Sequence, residues 1–597
     1  MRVKMHDLIR DMALHIMNAT SIVKARKGLT RIPCEDFWTD ALEKVSLMQN
    51  HFEGFLLNMS PNCPKLSTIL LNGSLNGDVV ICDSFFKKLS GLKILNLSGC
   101  DLRELPNSIS DLVNLRALLL GQCRKLRRIP YLGKLRSLRK LDASDCVSLE
   151  VLEGLDMLVN LRYLDLFCTR RKRLPKGTLG GLLNLQFLKV WAAHPEEVAK
   201  LWPLESFECS FQHVDDLNEV VRLIDQRGNP CNYWLRVDQE KSIYYVNTSE
   251  DARFGNFGRR FDILKWSYAI VSEGGESSGI CILIPKNVRT LMMRKCDHTT
   301  NLCGMGPLEH LEELIIEEGK NLSVLSGGQD EKVINIHDSP APAPRLMLFL
   351  SLRLLKISQC PKLRYLFGHG SIFSLPHLRE IEINECKEMV GITAAITSEP
   401  SRPLPTFPNL QLISVAWCDQ MKRVVESEWL FHFPNLRNIR VFFCENMKEI
   451  IGCPPPHMPV EEISLESLTI LRCDNMRRLC PHESFIHLQN LRNIEVRSCK
   501  GMVEMISGAR QDLKGSIMTL VNDTPPSFQS SISLPKLERL VLYNLPQLKS
   551  ICEVPIICDS RRDVQVSECP ELNEIPLQPQ SRDNEPLPYI EVRGQEK

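Results

Sequence analysis

The chain has 597 residues, and its 73 Lys or Arg against 72 Asp or Glu leave a formal net charge of +1, so no global field announces a polyanionic partner. That length exceeds what one core serves, and only 6% of it is aromatic, so burial must come from Leu and Ile spread over many small units. No run approaches the roughly 20 apolar residues that span a bilayer. The opening MRVKMHDLIRDMALHIM carries Asp7, Arg10 and Asp11 where a signal peptide needs an unbroken apolar core, which places the chain in the cytoplasm.

Taken in chain order, the first element is an amphipathic helix. Leu8, Met12 and Ile16 recur at helical spacing and would face one core. An isolated helix with an apolar stripe is seldom stable, so residues 1–40 read as the end of a larger domain and the chain as a truncated copy. Two loose copies of a frame follow, LEKVSLMQN from residue 42 and LSTILLNGS from 66, and the repeating part is expected to begin near residue 40. From Leu92 the frame L-x-x-L-x-L-x-x-C is clear: LKILNLSGC (92–100), LRALLLGQC (115–123), LRKLDASDC (138–146), LRYLDLFCT (161–169) and LQFLKV (185–190). Its period is 23 or 24 residues. Leu95 and Leu97, two apart, share one face of a short strand. Each unit is then a coil whose apolar face is buried only by stacking on its neighbours, a leucine-rich repeat.

Residues 41–190 form the regular block, and 191–287 keep fragments such as LESFECSF (204–211) and CILIP (281–285), with a helical run around Val214 to Ile224. From 288 to 576 the frame returns with insertions, as in LRLLKISQC from 352, LREIEINEC from 378, LQLISVAWC from 410 and LRNIRVFFC from 436. Segments 327–345, 397–409 and 507–533 are rich in Pro, Gly and polar residues and read as loops, and 577–597 reads as a disordered tail. The expected fold is α/β: a curved solenoid with a parallel sheet on its concave face.

Of 23 Cys, 11 recur at one frame position, among them Cys100, Cys123, Cys146, Cys360, Cys386 and Cys444. Thr169, Gly319 and Leu545 replace it elsewhere, which a metal site or an obligatory disulfide would not permit. Cys is therefore a small buried hydrophobe and a weak S–H donor for the turn backbone. There is no C-x-x-C, no H-E-x-x-H and no G-x-x-x-x-G-K-[ST], so no metal site, no catalytic residue and no phosphate cradle is assigned.

VKMHDLIRDMALHI resembles the closing motif of the switch domain of plant intracellular immune receptors, the nucleotide-binding leucine-rich-repeat disease resistance proteins of the coiled-coil type. ALEKVSLMQN, CPKLSTILL and FFKKLSGLKILNLSGC are similar to the linker and first repeats of that group. So are the later units with Met three residues beyond Cys, as at Met389, Met421, Met447, Met476 and Met502. The resemblance implies that residues 1–40 are a remnant of a winged-helix-type switch subdomain of the nucleotide-binding (NB-ARC) domain. It implies that His6, framed by Met5 and Asp7, senses the phosphates of ADP or ATP in the intact family, although this chain holds no nucleotide cofactor of its own. It also implies a defence role in innate immunity: recognition of a pathogen effector or guarded host protein, and autoinhibition of the switch. The rival reading is a generic intracellular repeat scaffold, such as a ubiquitin-ligase adaptor.

Two surfaces are assigned on that basis. Residues 115–176 hold 15 Lys or Arg against 6 Asp or Glu. Within them Arg124, Lys125, Arg127, Arg128, Arg170, Arg171, Lys172 and Arg173 would dock on the switch domain by charge complementarity. Nucleic acid is not the expected partner, because no aromatic residues or groove-reading motif accompany these charges. The outward strand positions Tyr163, Phe167, Phe187 and Trp191, with Arg440, Phe442 and Arg497 in later coils, would face a protein partner.

Overall fold

The apolar residues of the frame form strands by alternation. The structure, a computed structural model, describes residues 12, 20–52, 59–77, 80–169, 174–211, 213–226, 232–238, 259–264, 269–271, 281–297, 299–300, 302, 305, 307–325, 349–367, 375–393, 407–426, 429, 432–452, 463–481, 484, 487–507, 532–552, 554–558, 563–573, 575, 577–579 and 590–593. The chain divides into two compact units, Met1–Arg260 and Phe261–Lys597. Each is a parallel β-solenoid with few helices.

In the first unit the strands are β1 (Ser21–Val23), β2 (Lys44–Ser46), β3 (Thr68–Leu70), β4 (Ile94–Asn96), β5 (Ala117–Leu119), β6 (Lys140–Asp142), β7 (Tyr163–Asp165), β8 (Phe187–Val190), β9 (Ser206–Phe211) and β10 (Asn232–Asp238). Each pairs in parallel with the next. The register places Ile22, Val45, Ile69, Leu95, Leu118, Leu141, Leu164, Leu188, Phe207 and Tyr233 in one inward row, all buried. Every residue of that row is wedged between its homologues above and below, which is why a coil cannot fold alone. A second, shorter ladder closes the far side of the coils, where Arg128 bridges both Glu104 and Val151.

The second unit repeats the plan with longer strands. Thr290–Arg294, Glu313–Glu317, Leu354–Ser358, Glu380–Asn384, Leu412–Ala416, Asn438–Phe442, Ser467–Leu471, Asn493–Arg497, Arg539–Tyr543, Asp563–Ser567 and Ile590–Arg593 pair in sequence, all parallel. Met389, Met421, Met447, Met476 and Met502 are fully buried beneath this sheet. Unbranched thioethers fill the space that coils of unequal length leave.

Three expectations change. The sheet begins at Ser21–Val23, ahead of the expected start near residue 40, because β2 supplies a full parallel edge for it. The segment expected to be a disordered tail contributes the strands Leu577–Pro579 and Ile590–Arg593, the latter paired in parallel with Asp563–Ser567. Met12 is helical but 59% exposed, so the apolar stripe expected to face a core is uncovered there. The other residues expected in that helix, and Met5, His6 and Asp7, lie outside the described residues.

The irregular stretch is a continuation of the first sheet with a different return path. The expected helix forms as Val214–Gln226, burying Val214, Leu217, Val220, Val221 and Ile224 on one face, with Asp215 and Asp216 at its N-terminal end where the helix dipole favours them. It carries the chain from β9 to β10. Glu197, on the short helix Pro195–Val198, turns its buried carboxylate onto the amide of Gly177 at 2.5 Å and that of Leu179 at 2.7 Å, pinning the preceding loop.

Candidate functional site

The turn after each strand is what aims the surface residues. The residue before the frame cysteine adopts a left-handed conformation in coil after coil: Gln122 (φ 65), Asp145 (φ 57), Gln359 (φ 53), Glu385 (φ 54), Trp417 (φ 54), Phe443 (φ 55) and Arg472 (φ 54). Gly99 (φ 68) is the case where the residue type suits the conformation without cost. The next residue then points inward. In the first unit the thiols of Cys100, Cys123 and Cys146 donate to Leu71 O, Leu97 O and Leu120 O of the preceding coil at 3.2, 3.0 and 3.1 Å. Asn50 fills the same slot and donates its amide to Lys24 O and Leu47 O. In the second unit the thiols turn to their own coil, as Cys418 to Ala416 O and Cys444 to Phe442 O, both at 3.4 Å. Burial drives the Cys146 and Cys444 thiols up to about 12, so they serve packing rather than chemistry.

On the open face of the first sheet, Tyr163 and Phe187 are opposite one another in register and stack at 4.2 Å with an interplanar angle of 5°. Lys140 Nζ caps the stack, 3.9 Å from the Tyr163 ring centroid. One row further, Asp142, Asp165, Lys189, Glu208 and Trp234 follow in register. Lys189 bonds Glu208 at 2.8 Å and also lies over the Phe167 ring at 4.7 Å. Asp165 accepts the Phe167 N–H at 3.0 Å, and its burial raises it to about 7.

Phe167 corrects the sequence reading. It was expected on the outward surface and is buried, with Trp191 tilted against it at 5.6 Å and the Arg236 guanidinium 5.9 Å from its ring. The reason is β10, a strand without the leucine frame: Arg236 lies opposite Ser210 and covers the row that Phe167 ends. Tyr163, Phe187 and Trp191 are half-buried. The indole N–H of Trp191 has no acceptor among the described residues.

The basic surface lies on the coil that precedes Lys140. Arg124, Lys125, Arg127 and Arg128 are exposed past the turn, on the side of the short second ladder, and Lys125 pairs with Asp101 at 3.0 Å. Arg124, Arg127 and Arg128 have no carboxylate within ion-pair distance among the described residues. Arg170, Arg171, Lys172 and Arg173 lie outside the described residues.

In the second unit Phe442, Leu471 and Arg497 form one outward row, and Arg440, Thr469 and Glu495 the adjoining one. Arg497 Nε donates to Glu495 Oε1 at 2.5 Å, whereas Arg440 is exposed. Beside this row is a feature the sequence reading missed. Trp417 and Phe443, on the left-handed turns of adjacent coils, stack at 4.2 Å and 2°, and Arg472 on the next turn sits 5.6 Å from the Phe443 ring. Its signal was an aromatic residue directly before the frame cysteine, in VAWC and VFFC, where the other coils carry none.

Among the described residues no group of acidic, His or Cys side chains is arranged to hold a metal, and no helix is long and apolar enough to cross a membrane. Parallel strands stacked on a leucine frame, with varied outward residues, define a leucine-rich-repeat protein, a class whose open faces suit protein partners. The family model described as plant disease resistance protein RPS2-like, leucine-rich repeats, matches residues 452–576, so that stretch is similar to the leucine-rich repeats of those proteins. Disease resistance protein At4g27190 of Arabidopsis thaliana is 27% identical over 448 residues, 69% of this chain and 44% of that protein. Probable disease resistance protein At4g27220 is 27% identical over 591 residues, 97% of this chain and 51% of its own length. Putative disease resistance protein At4g10780 reaches 35% over 418 residues, 65% and 42% respectively. The chain thus spans about half the length of the curated relatives it matches, or less. Among solved structures, a Leptospira interrogans leucine-rich-repeat protein covers 83% of this chain, and 95% of its own, at 13% identity and a TM-score of 0.37.

Proposed function

We propose that this chain acts in plant innate immunity as the recognition and autoinhibitory repeat region of an intracellular receptor whose switch binds ADP or ATP. The observation that supports it is the separation of two chemically distinct surfaces on neighbouring coils. Arg124, Arg127 and Arg128 present cations on the second ladder, while Lys140, Tyr163 and Phe187 present a cation-capped aromatic stack on the open sheet face. The first surface suits a switch domain held by charge; the second suits an effector or guarded host protein. Arg170, Arg171, Lys172 and Arg173 would extend the basic surface, and Met5, His6 and Asp7 would belong to the switch side.

The test is association with a switch domain of a disease resistance relative supplied in trans. Reversing Arg124, Arg127 and Arg128 to Glu should weaken binding more than tenfold at low salt and by less at high salt, since screening removes the contribution of exposed charges. Folding should be unchanged, because exposed charges contribute little to stability. If binding is instead insensitive to these reversals and is abolished by Tyr163→Ala or Phe187→Ala, docking runs through the aromatic face and the assignment of surfaces is overturned.

A further inference from the structure

The left-handed turn positions of the second unit form a line of side chains, one per coil, along one margin of the sheet. Most of that line is satisfied internally. Lys295 pairs with Glu318 at 3.2 Å, Gln359 donates to Glu385 at 2.8 Å, Asn544 to Ser498 at 3.4 Å, and Glu568 accepts from Tyr543 at 3.0 Å. The break comes at three consecutive coils, where Trp417, Phe443 and Arg472 replace polar pairs with a stacked aromatic couple and a guanidinium. Trp417 is 49% exposed. A left-handed conformation is unfavourable for any residue with a Cβ and most unusual for a bulky one. Two aromatic residues therefore hold costly backbone positions while leaving their rings near water, which packing of this unit does not require.

The charges around the stack give the partner's chemistry. Neither Arg472 nor Arg440 has a carboxylate within ion-pair distance among the described residues, although Arg423, Arg437, Arg478, Arg492 and Arg497 nearby all do. Residues 407–507 hold 11 Lys or Arg against 12 Asp or Glu, so Arg440 and Arg472, which share the lack of an ion pair with Arg477 among the described residues, stand in a segment with no excess of positive charge. A polyphosphate chain would meet as much repulsion as attraction there. A single carboxylate approaching Arg472 beside a flat apolar group would not.

We propose that Trp417, Phe443 and Arg472, with Arg440 and Phe442 adjoining, form the docking surface for an acidic protein segment that carries an aromatic or large aliphatic anchor. The anchor lies against the Trp417–Phe443 stack and a neighbouring Asp or Glu of the segment takes the Arg472 guanidinium. This deepens the recognition role proposed above and rests on it.

The test pans a random-peptide display library on the full-length chain and, in parallel, on Arg472→Glu and Arg440→Glu variants. Wild type should enrich peptides that combine an aromatic or Leu residue with Asp or Glu, and the variants should lose them. A representative peptide should bind at least tenfold more weakly to Trp417→Asn and to Arg472→Glu, while Arg472→Lys restores part of the loss. Asn tolerates the left-handed turn, so Trp417→Asn should melt within a few degrees of wild type. Enrichment without acidic bias, equal enrichment on the Arg variants, or tighter binding of a single-stranded oligonucleotide than of any peptide would overturn the proposal. If enriched peptides instead depend on Tyr163 and Phe187, recognition stands and this surface does not carry it.

Discussion

Asp165 is the residue whose chemistry is most displaced by its place in the coil. Its outward row neighbours are Asp142 on one side and Lys189 on the other, but Lys189 is engaged by Glu208 at 2.8 Å. Burial dominates and raises Asp165 from 3.8 to about 7, with Phe167 N–H and Lys189 opposing and Asp142 and Glu208 reinforcing. Between those two values the folded chain holds a proton that the unfolded chain releases, so stability falls as pH rises from about 4 to about 7 and is constant above. The full penalty is of order 4 kcal/mol. Asp165→Asn should therefore raise the melting temperature at pH 8 and leave it nearly unchanged at pH 4; an equal change at both would show that the carboxylate does not titrate in this way. Glu449 is the contrasting case, a buried carboxylate held by Arg423 at 2.6 Å and Arg478 at 2.8 Å. Both arginines are partly exposed, so their attraction is screened, and Glu449→Ala should cost about 2 kcal/mol in denaturant unfolding. A loss below about 0.5 kcal/mol would mean that water replaces the pair at no cost.

At the scale of the coil, Leu95 tests the repeat itself. It is fully buried between Ile69 and Leu118. An unpaired carboxylate there costs several kcal/mol, and because coils are stabilised by their neighbours, Leu95→Asp should unfold β3 to β5 together. Hydrogen exchange would show protection lost across 66–123 first; wild-type protection would contradict the stacking. That inward row was legible in the sequence because Leu and its equivalents recur at fixed spacing. The left-handed turns were legible only at Gly73 and Gly99. Elsewhere the conformation is imposed by the next coil, as when Trp417 N bonds Phe442 O at 3.0 Å and Phe443 N bonds Leu471 O at 2.8 Å, so side-chain identity there gives no sign of it. The burial of Phe167 was hidden for a related reason: its cover, Arg236, lies in a segment without the leucine frame. Tyr163 and Phe187 could be placed correctly on the outward face because both they and their neighbours belong to the regular frame.

Over the whole chain, the absence of G-x-x-x-x-G-K-[ST] from the sequence bears on nucleotide chemistry. Nucleotide phosphates are held by several backbone amides at a glycine-rich turn before a helix, reinforced by a lysine, and the combined effect is what reaches micromolar affinity. A lone histidine such as His6 offers one ring nitrogen. A charge-assisted hydrogen bond of that kind contributes about 1.5 to 3 kcal/mol, whereas a micromolar complex requires about 8 kcal/mol. The purified chain is therefore expected to give no saturable heat with ADP or ATP in titration calorimetry at micromolar concentrations, and no phosphate release from ATP. Micromolar ADP binding that disappears in His6→Ala would show that residues of this chain build a phosphate site of a kind its motifs do not reveal. Restored binding when a switch domain of a disease resistance relative is added in trans, again dependent on His6, would place the nucleotide between the two partners and support the receptor reading.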